Sequence, residues 1–287
     1  MNQDQLRTTD HGLRTTAVVF PFDLFGSPGA GAGAALLGDE LREVLADNRR
    51  ETVPTRAAAY AGRLRLREFT FETLADYDGW RRRGRRAIRQ ALRRGDFLLW
   101  LAGNHLGALP LFDELSALGE RCLVVQLDAH LDVHNFADCT AEPSHGNFLL
   151  HCAGPLPPLV NVGHRELLLL PEYVARHYRL AVPAEALALD PDAALAALRK
   201  ASAGAERVFL DIDCDVLDPA YFPAVGQPVP FGLTPQQLLR CLDAVWSDRV
   251  AGVAVSEFDP ARDRDDRGLA TLVWLLERLL LRRYEPA

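Results

Sequence analysis

Two triplets of acidic and imidazole side chains directly follow apolar runs of strand length. The triplets are Asp128, His130 and Asp132, after Leu123–Leu127, and Asp211, Asp213 and Asp215, after Arg207–Leu210. Because side chains alternate along a strand, residues spaced by two are expected to project to the same side. Carboxylates and imidazoles that converge in this way are typical ligands of divalent metals. The alternative interpretation of the first triplet is a polar loop that caps the next helix.

The segments that would position these triplets alternate along the whole chain between apolar runs and amphipathic stretches. Strands are predicted at 17–22, 97–101, 123–127, 159–163, 207–210 and 250–255, and helices at 36–45, 80–92, 109–118, 185–200, 235–247 and 265–283. This order predicts an α/β fold, a single three-layer domain in which an open, mostly parallel sheet carries helices on both faces. We expect the domain to span 17–287, after a polar lead-in at 1–16.

Ligands in open parallel sheets bind beyond the carboxyl ends of the strands. Two further strands end close to candidate ligands, namely His105 and Glu257. So many converging acids would repel one another strongly at low dielectric, and divalent cations are their natural counterions. The set has several carboxylates and some imidazole but no thiol, which favours Mn, with Mg, Fe, Co and Zn as alternatives. Cys214 is expected to point into the core.

The overall composition excludes several classes of protein. The chain has 287 residues, 48% of them hydrophobic and 25% charged, with a formal net charge of −7. This balance argues against general binding to nucleic acid or to an anionic membrane. No apolar run reaches the roughly 18 residues of a transmembrane helix, and residues 1–16 resemble neither a signal nor a transit peptide. The cysteines are odd in number and include no CxxC pair, which favours reduced thiols in a cytoplasmic protein; they are Cys122, Cys139, Cys152, Cys214 and Cys241.

Two other segments have a structural interpretation. The glycine-rich loop at 26–33 lacks the GxGxxG spacing of a dinucleotide site, so a tight turn or a close approach of the backbone to a site is expected. In the arginine-rich segment at 50–95, the apolar residues from Trp80 to Leu92 form one stripe of a helix. The arginines are then its solvated face, and a basic docking patch is the alternative.

The sequence resembles the ureohydrolase family, that of arginase and agmatinase, over most of its length. The likeness is densest in several ordered motifs: Gly103-Asn104-His105, Asp128-Ala129-His130-Leu131-Asp132, Ser144-His145-Gly146, 213–219, Gly226-Gln227-Pro228, Gly232-Leu233-Thr234 and Glu257-Phe258-Asp259-Pro260. The resemblance implies an enzyme with two Mn²⁺ ions per subunit. Such an enzyme cleaves a C–N bond of a guanidino or other linear amidine group with a metal-bridging hydroxide, and typically releases urea. It also implies a homo-oligomer, a trimer or a hexamer.

The resemblance also implies roles for single residues. His105 and Asp132 would bind one ion, His130 and Asp215 the other, and Asp128 and Asp213 would bridge the two. The catalytic residues would be Asp132, which receives the proton of the attacking hydroxide, His145, which shuttles protons or contacts substrate, and Glu257, which orients the guanidinium. Asp211 occupies a place usually held by serine.

Two departures from the family pattern bear on the metal and on the substrate. Asn104 replaces the acid that usually precedes the first histidine, which should alter the surroundings of one metal. His134 replaces an asparagine that reads the amino-acid head group in arginase-like enzymes, so free arginine is not the favoured substrate. Agmatine, a guanidino acid, arginine, a formimino compound and a peptidyl arginine stay open. A metal-dependent deacetylase or phosphoesterase and a non-catalytic family member are the alternative functions.

Overall fold

The computed structural model describes residues 14–135 and 141–285. Eight β-strands lie in this part of the chain: β1 (Thr15–Phe20), β2 (Leu64–Glu68), β3 (Phe97–Ala102), β4 (Cys122–Leu127), β5 (Leu159–His164), β6 (Leu180–Pro183), β7 (Arg207–Asp213) and β8 (Val250–Ser256). The α-helices of the same residues are α1 (Ala30–Asn48), α2 (Ala58–Ala61), α3 (Leu74–Asp78), α4 (Trp80–Arg94), α5 (Leu109–Ser116), α6 (Pro171–Val174), α7 (Ala184–Leu189), α8 (Pro191–Ala203), α9 (Pro235–Val245) and α10 (Arg267–Tyr284).

The strands form one sheet in the order β2-β1-β3-β8-β7-β4-β5-β6, and every pairing among the described strands is parallel. Both faces of the sheet are covered, because alternate residues of β3 enter different cores. Leu99 and Leu101 pack in a core with α1, α8, α9 and α10, whereas Leu98 and Trp100 pack in a second core with α4 and α5. The predicted three-layer α/β domain is therefore confirmed.

Two edge strands and several element boundaries differ from the prediction; α1, for example, begins at Ala30 rather than at residue 36. Neither β2 nor β6 was predicted, because β2 alternates arginine with leucine at the exposed edge of the sheet and β6 has only four residues. The helix expected over 185–200 is divided into α7 and α8 at Asp190, whose side chain accepts a hydrogen bond from Ala193 N, with Pro191 at the first position of α8. The first strand begins at Thr15 rather than at residue 17; positions 1–13 of the predicted lead-in lie outside the described residues.

The arginine-rich helix α4 is amphipathic, as predicted, but its arginines are not all solvated. Ala87, Ile88 and Ala91 are buried. Arg81 makes two hydrogen bonds to the buried Asp113 of α5, at 2.6 and 2.7 Å, and Arg85 and Arg89 both pair with Glu114. Three arginines therefore tie α4 to α5 across the surface of the second core. The described helices include none with the length and apolarity needed to cross a membrane.

Gly33 of α1 allows this helix to lie directly against the loop after β8. A Cβ at this position would lie 1.9 Å from the carbonyl oxygen of Phe258, so Gly33→Ala must push α1 away from the site-bearing loop. We expect this variant to lose about 1–3 kcal/mol of unfolding free energy in urea titrations, as overpacked sites do. The matched control is Gly62→Ala, because a Cβ there meets nothing within 4 Å. Equal stability of the two variants would contradict this close approach.

Candidate metal centre and active site

The candidate site lies at the carboxyl edge of four adjacent strands, in the sheet order β3-β8-β7-β4. His105 follows β3, Glu257 follows β8, Asp213 ends β7 and Asp128 follows β4. All four residues are buried. The structure therefore brings residues from four separate parts of the sequence to one point, as expected for an open parallel sheet.

The imidazole of His105 faces three carboxylates. Its Nδ1 atom lies 3.2 Å from Asp128 Oδ2, 2.9 Å from Asp132 Oδ2 and 3.1 Å from Asp213 Oδ2. Despite these distances, His105 Nδ1, Asp128 Oδ2 and Asp132 Oδ2 are buried without a hydrogen-bond partner. Buried polar atoms are normally satisfied. Ligand atoms that crowd one point without bonding to one another fit a cation in their midst.

A second group of ligand atoms surrounds His130. Its Nδ1 atom lies 2.9 Å from Asp215 Oδ2 and 3.8 Å from Asp128 Oδ1. Within each of the groups His105–Asp128–Asp132 and Asp128–His130–Asp215, the ligand atoms lie within 4.8 Å of one another. The groups share Asp128, so the donor set fits two neighbouring ions that share a carboxylate.

The first triplet converges for a different reason than predicted. β4 ends at Leu127, so Asp128, His130 and Asp132 lie in a loop and not on an extension of the strand. His130 N donates to Asp128 Oδ1 at 2.7 Å, and Asp132 adopts a left-handed backbone with φ of 49°. The prediction that strand alternation aligns these side chains is therefore wrong. A tight turn closed by the side chain of Asp128 aligns them instead.

The second triplet follows the alternation only in part. Asp211 and Asp213 lie within β7 and point to the same face, whereas Asp215 lies in a 3₁₀ turn formed by residues 214–216. This turn is held by hydrogen bonds from Asp215 N to Asp213 Oδ1 and from Ala129 N to Asp215 Oδ1, at 2.9 and 3.1 Å. The second bond ties the two triplets together. Cys214 is buried in the core, as predicted.

The protonation equilibria of the site reflect the crowding of its acids. Burial and the neighbouring Asp132 raise the pKa of Asp128 well above its usual range, and burial with Asp215 does the same for Asp213. Burial lowers the pKa of His130, but its contact with Asp215 outweighs burial and raises the pKa to about 10. The pKa of His105 is raised in the same way, by Asp211 and Asp132 against burial. Without cations, protons at Asp128, Asp213, His105 and His130 therefore offset part of the negative charge. Burial raises the pKa of Asp215, but the contact with His130 outweighs burial and lowers that pKa.

Glu257 and His145 form a second pair of candidate catalytic residues. Glu257 Oε1 accepts a hydrogen bond from His105 N at 2.7 Å and lies 3.3 Å from His145 Nδ1. Gln227 Nε2 lies 3.2 Å from the other ring nitrogen of His145. Burial lowers the pKa of His145, but the contact with Glu257 outweighs it and raises the pKa. Glu257 also has a left-handed backbone, with φ of 66°; such strain in a non-glycine residue is common at functional sites.

A cavity of about 500 Å³ opens onto these groups. It is lined by His105, His130, Asp132, Asp213, Asp215 and His145, together with residues of the loops around them. His134 lies on its wall, and its Nε2 atom is 2.9 Å from Glu166 Oε2. The predicted metal and catalytic residues thus lie in or beside one concave site large enough for a small molecule.

The altered surroundings of one metal, expected from Asn104, stay a prediction, but the structure shows what its side chain contacts. Its side-chain amide donates to the carbonyl of Leu24 at 2.9 Å and lies against Gly26, so it contacts the glycine-rich loop. This loop therefore approaches the site, as expected. The carboxylate beside the far nitrogen of His105 is Asp211, whose Oδ2 atom lies 2.9 Å from His105 Nε2.

Sequence reasoning missed three polar residues that support the site. The guanidinium of Arg165 donates to the carbonyls of Asp215, Val216 and Val229 and so holds the turn that carries Asp215. Gln126 and Asn161 are fully buried in β4 and β5. A lone amide within an apolar strand was the available signal for these two, since a buried polar side chain requires a partner.

The proton content of the site predicts how stability depends on pH. Asp128, Asp213, His105 and His130 all have raised pKa values in the folded protein. The folded state therefore binds more protons than the unfolded state, and stability falls as pH rises from the ordinary histidine pKa of 6.5 toward about 10. We expect the melting temperature of chelator-treated protein to fall steadily between pH 6.5 and pH 9.

The matched control for this prediction is the same protein saturated with Mn²⁺. Its gain in melting temperature over chelator-treated protein should grow with pH, because the ion competes with protons for the same ligands. A metal-free stability that is constant or rises over this range would contradict the assigned proton content.

Comparison with known proteins places the chain among relatives of known activity. An N(1)-aminopropylagmatine ureohydrolase of Thermus thermophilus is 34% identical over 175 residues, which cover 59% of this chain and 57% of that protein. A formimidoylglutamase of Halobacterium salinarum is 33% identical over 150 residues, 50% of this chain and 48% of that protein. The chain thus spans about half the length of these curated relatives.

Solved structures and a family model extend the comparison to the whole domain. An arginase of Bacillus subtilis matches with a TM-score of 0.77 and 18% identity, over 93% of this chain and 98% of that one; at this identity the match shows the fold. The model of the Arginase family matches residues 15–281. Since this match covers nearly all of the residues that form the sheet and the site, the chain belongs to the arginase family.

Proposed function

We propose that this protein is a metal-dependent hydrolase that cleaves a C–N bond of a guanidino or related linear amidine group and typically releases urea. The observation that carries the proposal is the pair of ligand groups that share Asp128 beside the cavity, with Glu257 and His145 directly alongside. The names of the two relatives, a ureohydrolase and a formimidoylglutamase, support this class of reaction.

The proposed metal ligands are those that the family resemblance implies, and the two ligand groups that share Asp128 support them. His105 and Asp132 would hold one ion, His130 and Asp215 the other, and Asp128 and Asp213 would lie between them. Two Mn²⁺ ions are the proposed occupants, because the set combines several carboxylates with imidazole and lacks thiolate. When bound, the ions would neutralise the converging acids and supply the Lewis acidity that activates water for attack on the amidine carbon.

Three side chains would orient the substrate and move protons. Glu257, fixed by the hydrogen bond from His105 N, would accept hydrogen bonds from the guanidinium and so place its carbon over the metal ligands. Asp132 would accept a proton from the attacking water and return it to the leaving amine. The side chain of His145 is 22% exposed, against 4% for Glu257; it can therefore exchange protons between the cavity and solvent.

The substrate is bounded by the residues on the cavity wall. His134 is paired with Glu166 at the position where the family resemblance implies a head-group-reading asparagine, so free arginine is not the favoured substrate. Agmatine, guanidino acids, free arginine, formimino compounds and an arginine side chain in a peptide form the test panel. A cytoplasmic homo-oligomer, a trimer or hexamer, belongs to the same proposal. Its supports are the family resemblance and the free thiols of Cys122, Cys152, Cys214 and Cys241; Cys139 lies outside the described residues.

The activity test uses protein reconstituted with Mn²⁺ and assays urea, ammonia and amine release from the panel. Asp128→Asn and Asp213→Asn should each lower kcat/KM by at least about a hundredfold, since even the loss of a ligand's hydrogen-bonding partner costs 10–100-fold. Asp96→Asn is the matched control, because Asp96 is a buried acid at the opposite end of β3, bonded to Thr16. Full activity of either site variant would contradict the proposal, as would release of acetate or phosphate alone.

The wall residue His134 gives a separate prediction on specificity. His134→Asn breaks the contact with Glu166 and changes the polar surface that meets the far end of the substrate. We expect the ratio of kcat/KM values between panel members to shift by about tenfold, the lower end of what a small change in one pocket contact produces, because His134 is only partly buried. Most of the change should fall on KM. His151→Asn, in the 3₁₀ turn at 148–151, is the control, and equal ratios in both variants would exclude His134 from substrate recognition.

A further inference from the structure

Asp211 lies behind the metal-facing side of His105. Both residues are buried, Asp211 at 0% exposure and His105 at 1%. Asp211 Oδ2 is 2.9 Å from His105 Nε2, while His105 Nδ1, on the other side of the ring, faces Asp128, Asp132 and Asp213. The ring is thus held between one carboxylate and three.

We propose that Asp211 is a positioning residue of the metal centre, which accepts a hydrogen bond from the Nε2–H group of His105 and thereby presents the Nδ1 lone pair to the ion. The inference rests on the proposed function only in requiring a divalent ion at the site. It assigns a role to a carboxylate that supports a metal ligand and itself binds no ion.

The tautomer of the His105 ring decides which of its nitrogens can bind an ion. A neutral imidazole carries one proton, and a ligand nitrogen must be the unprotonated one. An acceptor at Nε2 fixes the proton there and leaves Nδ1 free to coordinate. Beside the ring lies Phe148, with a centroid distance of 4.8 Å, which offers no competing acceptor. Carboxylate partners of this kind orient histidine ligands and increase their basicity.

A row of polar residues crosses three neighbouring strands of the sheet. Asn161 of β5 pairs in register with Gln126 of β4, and Gln126 pairs with Asp211 of β7. All three are fully buried and lie on one face of the sheet, since register partners in parallel strands point the same way. Asn161 donates to the carbonyl of His130 at 2.9 Å. The row therefore lies beneath both candidate metal histidines.

Three side-chain atoms of this row lack a hydrogen-bond partner, namely the donor Gln126 Nε2 and the acceptors Asp211 Oδ1 and Asn161 Oδ1. Gln126 Oε1, in contrast, accepts a hydrogen bond from Tyr178 at 2.8 Å. The neighbour of Asp211 on β8 is Ala254, whose side chain has no polar group. Gln126 Nε2 therefore has an unpaired acceptor on each of its neighbouring strands, Asp211 Oδ1 on β7 and Asn161 Oδ1 on β5.

Asp211 differs chemically from the serine that the family resemblance implies at this position. A hydroxyl is shorter and neutral, whereas an ionised carboxylate makes a charge-assisted hydrogen bond about twice as strong as a neutral one. Asp211 therefore gives His105 a stronger acceptor than serine would, in a chain where Asn104 points away toward Leu24.

The test measures Mn²⁺ binding to the full chain by calorimetry and by electron paramagnetic resonance, for wild type, Asp211→Ser and the isosteric Asp211→Asn. In Asp211→Ser, one of the two Mn²⁺ affinities should fall 10–100-fold while the other changes little. The Mn²⁺ affinity of Asp211→Asn should fall less, because its amide oxygen occupies the position of the lost carboxylate oxygen and still accepts the hydrogen bond. Two ions should still bind at saturation, and Asp96→Asn should bind Mn²⁺ like wild type.

Two results would overturn the proposal. Unchanged affinities in both Asp211 variants would exclude a positioning role, and loss of one ion at saturating Mn²⁺ would make Asp211 a ligand. If Asp211→Ser does not fold, Asp211→Asn carries the test. Wild type that binds two ions but hydrolyses nothing in the amidine panel would contradict the proposed function and leave this inference standing, whereas wild type that binds no Mn²⁺ would overturn both.

Discussion

The convergence of buried carboxylates at one edge of the sheet is the constraint on which the rest of this structure depends. Two unit charges about 4 Å apart repel by about 4 kcal/mol at an effective dielectric constant of 20. Burial and, after it, this repulsion raise the pKa values of Asp128 and Asp213, and two carboxylate oxygens of the site, Asp128 Oδ2 and Asp132 Oδ2, are buried without a hydrogen bond. The strand ends and the hydrogen-bonded turns of the site hold these acids close together despite the repulsion.

The surrounding scaffold also holds two residues of the site in strained backbone conformations. Asp132 and Glu257 hold left-handed backbone conformations, each of which costs about 1–3 kcal/mol in a non-glycine residue. The loop of Glu257 is fixed by the hydrogen bond from its own N–H to Gly103 O and by the close approach of α1 at Gly33. Packing of an outer helix therefore sets the backbone of a candidate catalytic residue, and stability and function are coupled at this point.

The sequence predicted the central strands and the meeting point of the acids, but not all of the local geometry. Strands such as β3 are buried on both faces and read as continuous apolar runs, whereas β2 has the polar pattern of an exposed edge. The loop at Asp128 could not be distinguished from a strand extension, because spacing by two suits both. The pairing of Asp211 with His105 depends on which strands are neighbours, and the order of strands in a sheet is not contained in local spacing.

The two halves of the proposed centre, one at His105 and one at His130, differ in their access to solvent. The side chain of His105 is 2% exposed and has a carboxylate behind it, whereas that of His130 is 32% exposed and lines the cavity. Coulombic interactions weaken as water approaches, so an ion at His105 would be held more strongly than an ion at His130. In the proposed enzyme, substrate would arrive from the side of His130 and His145, where the site is open to solvent.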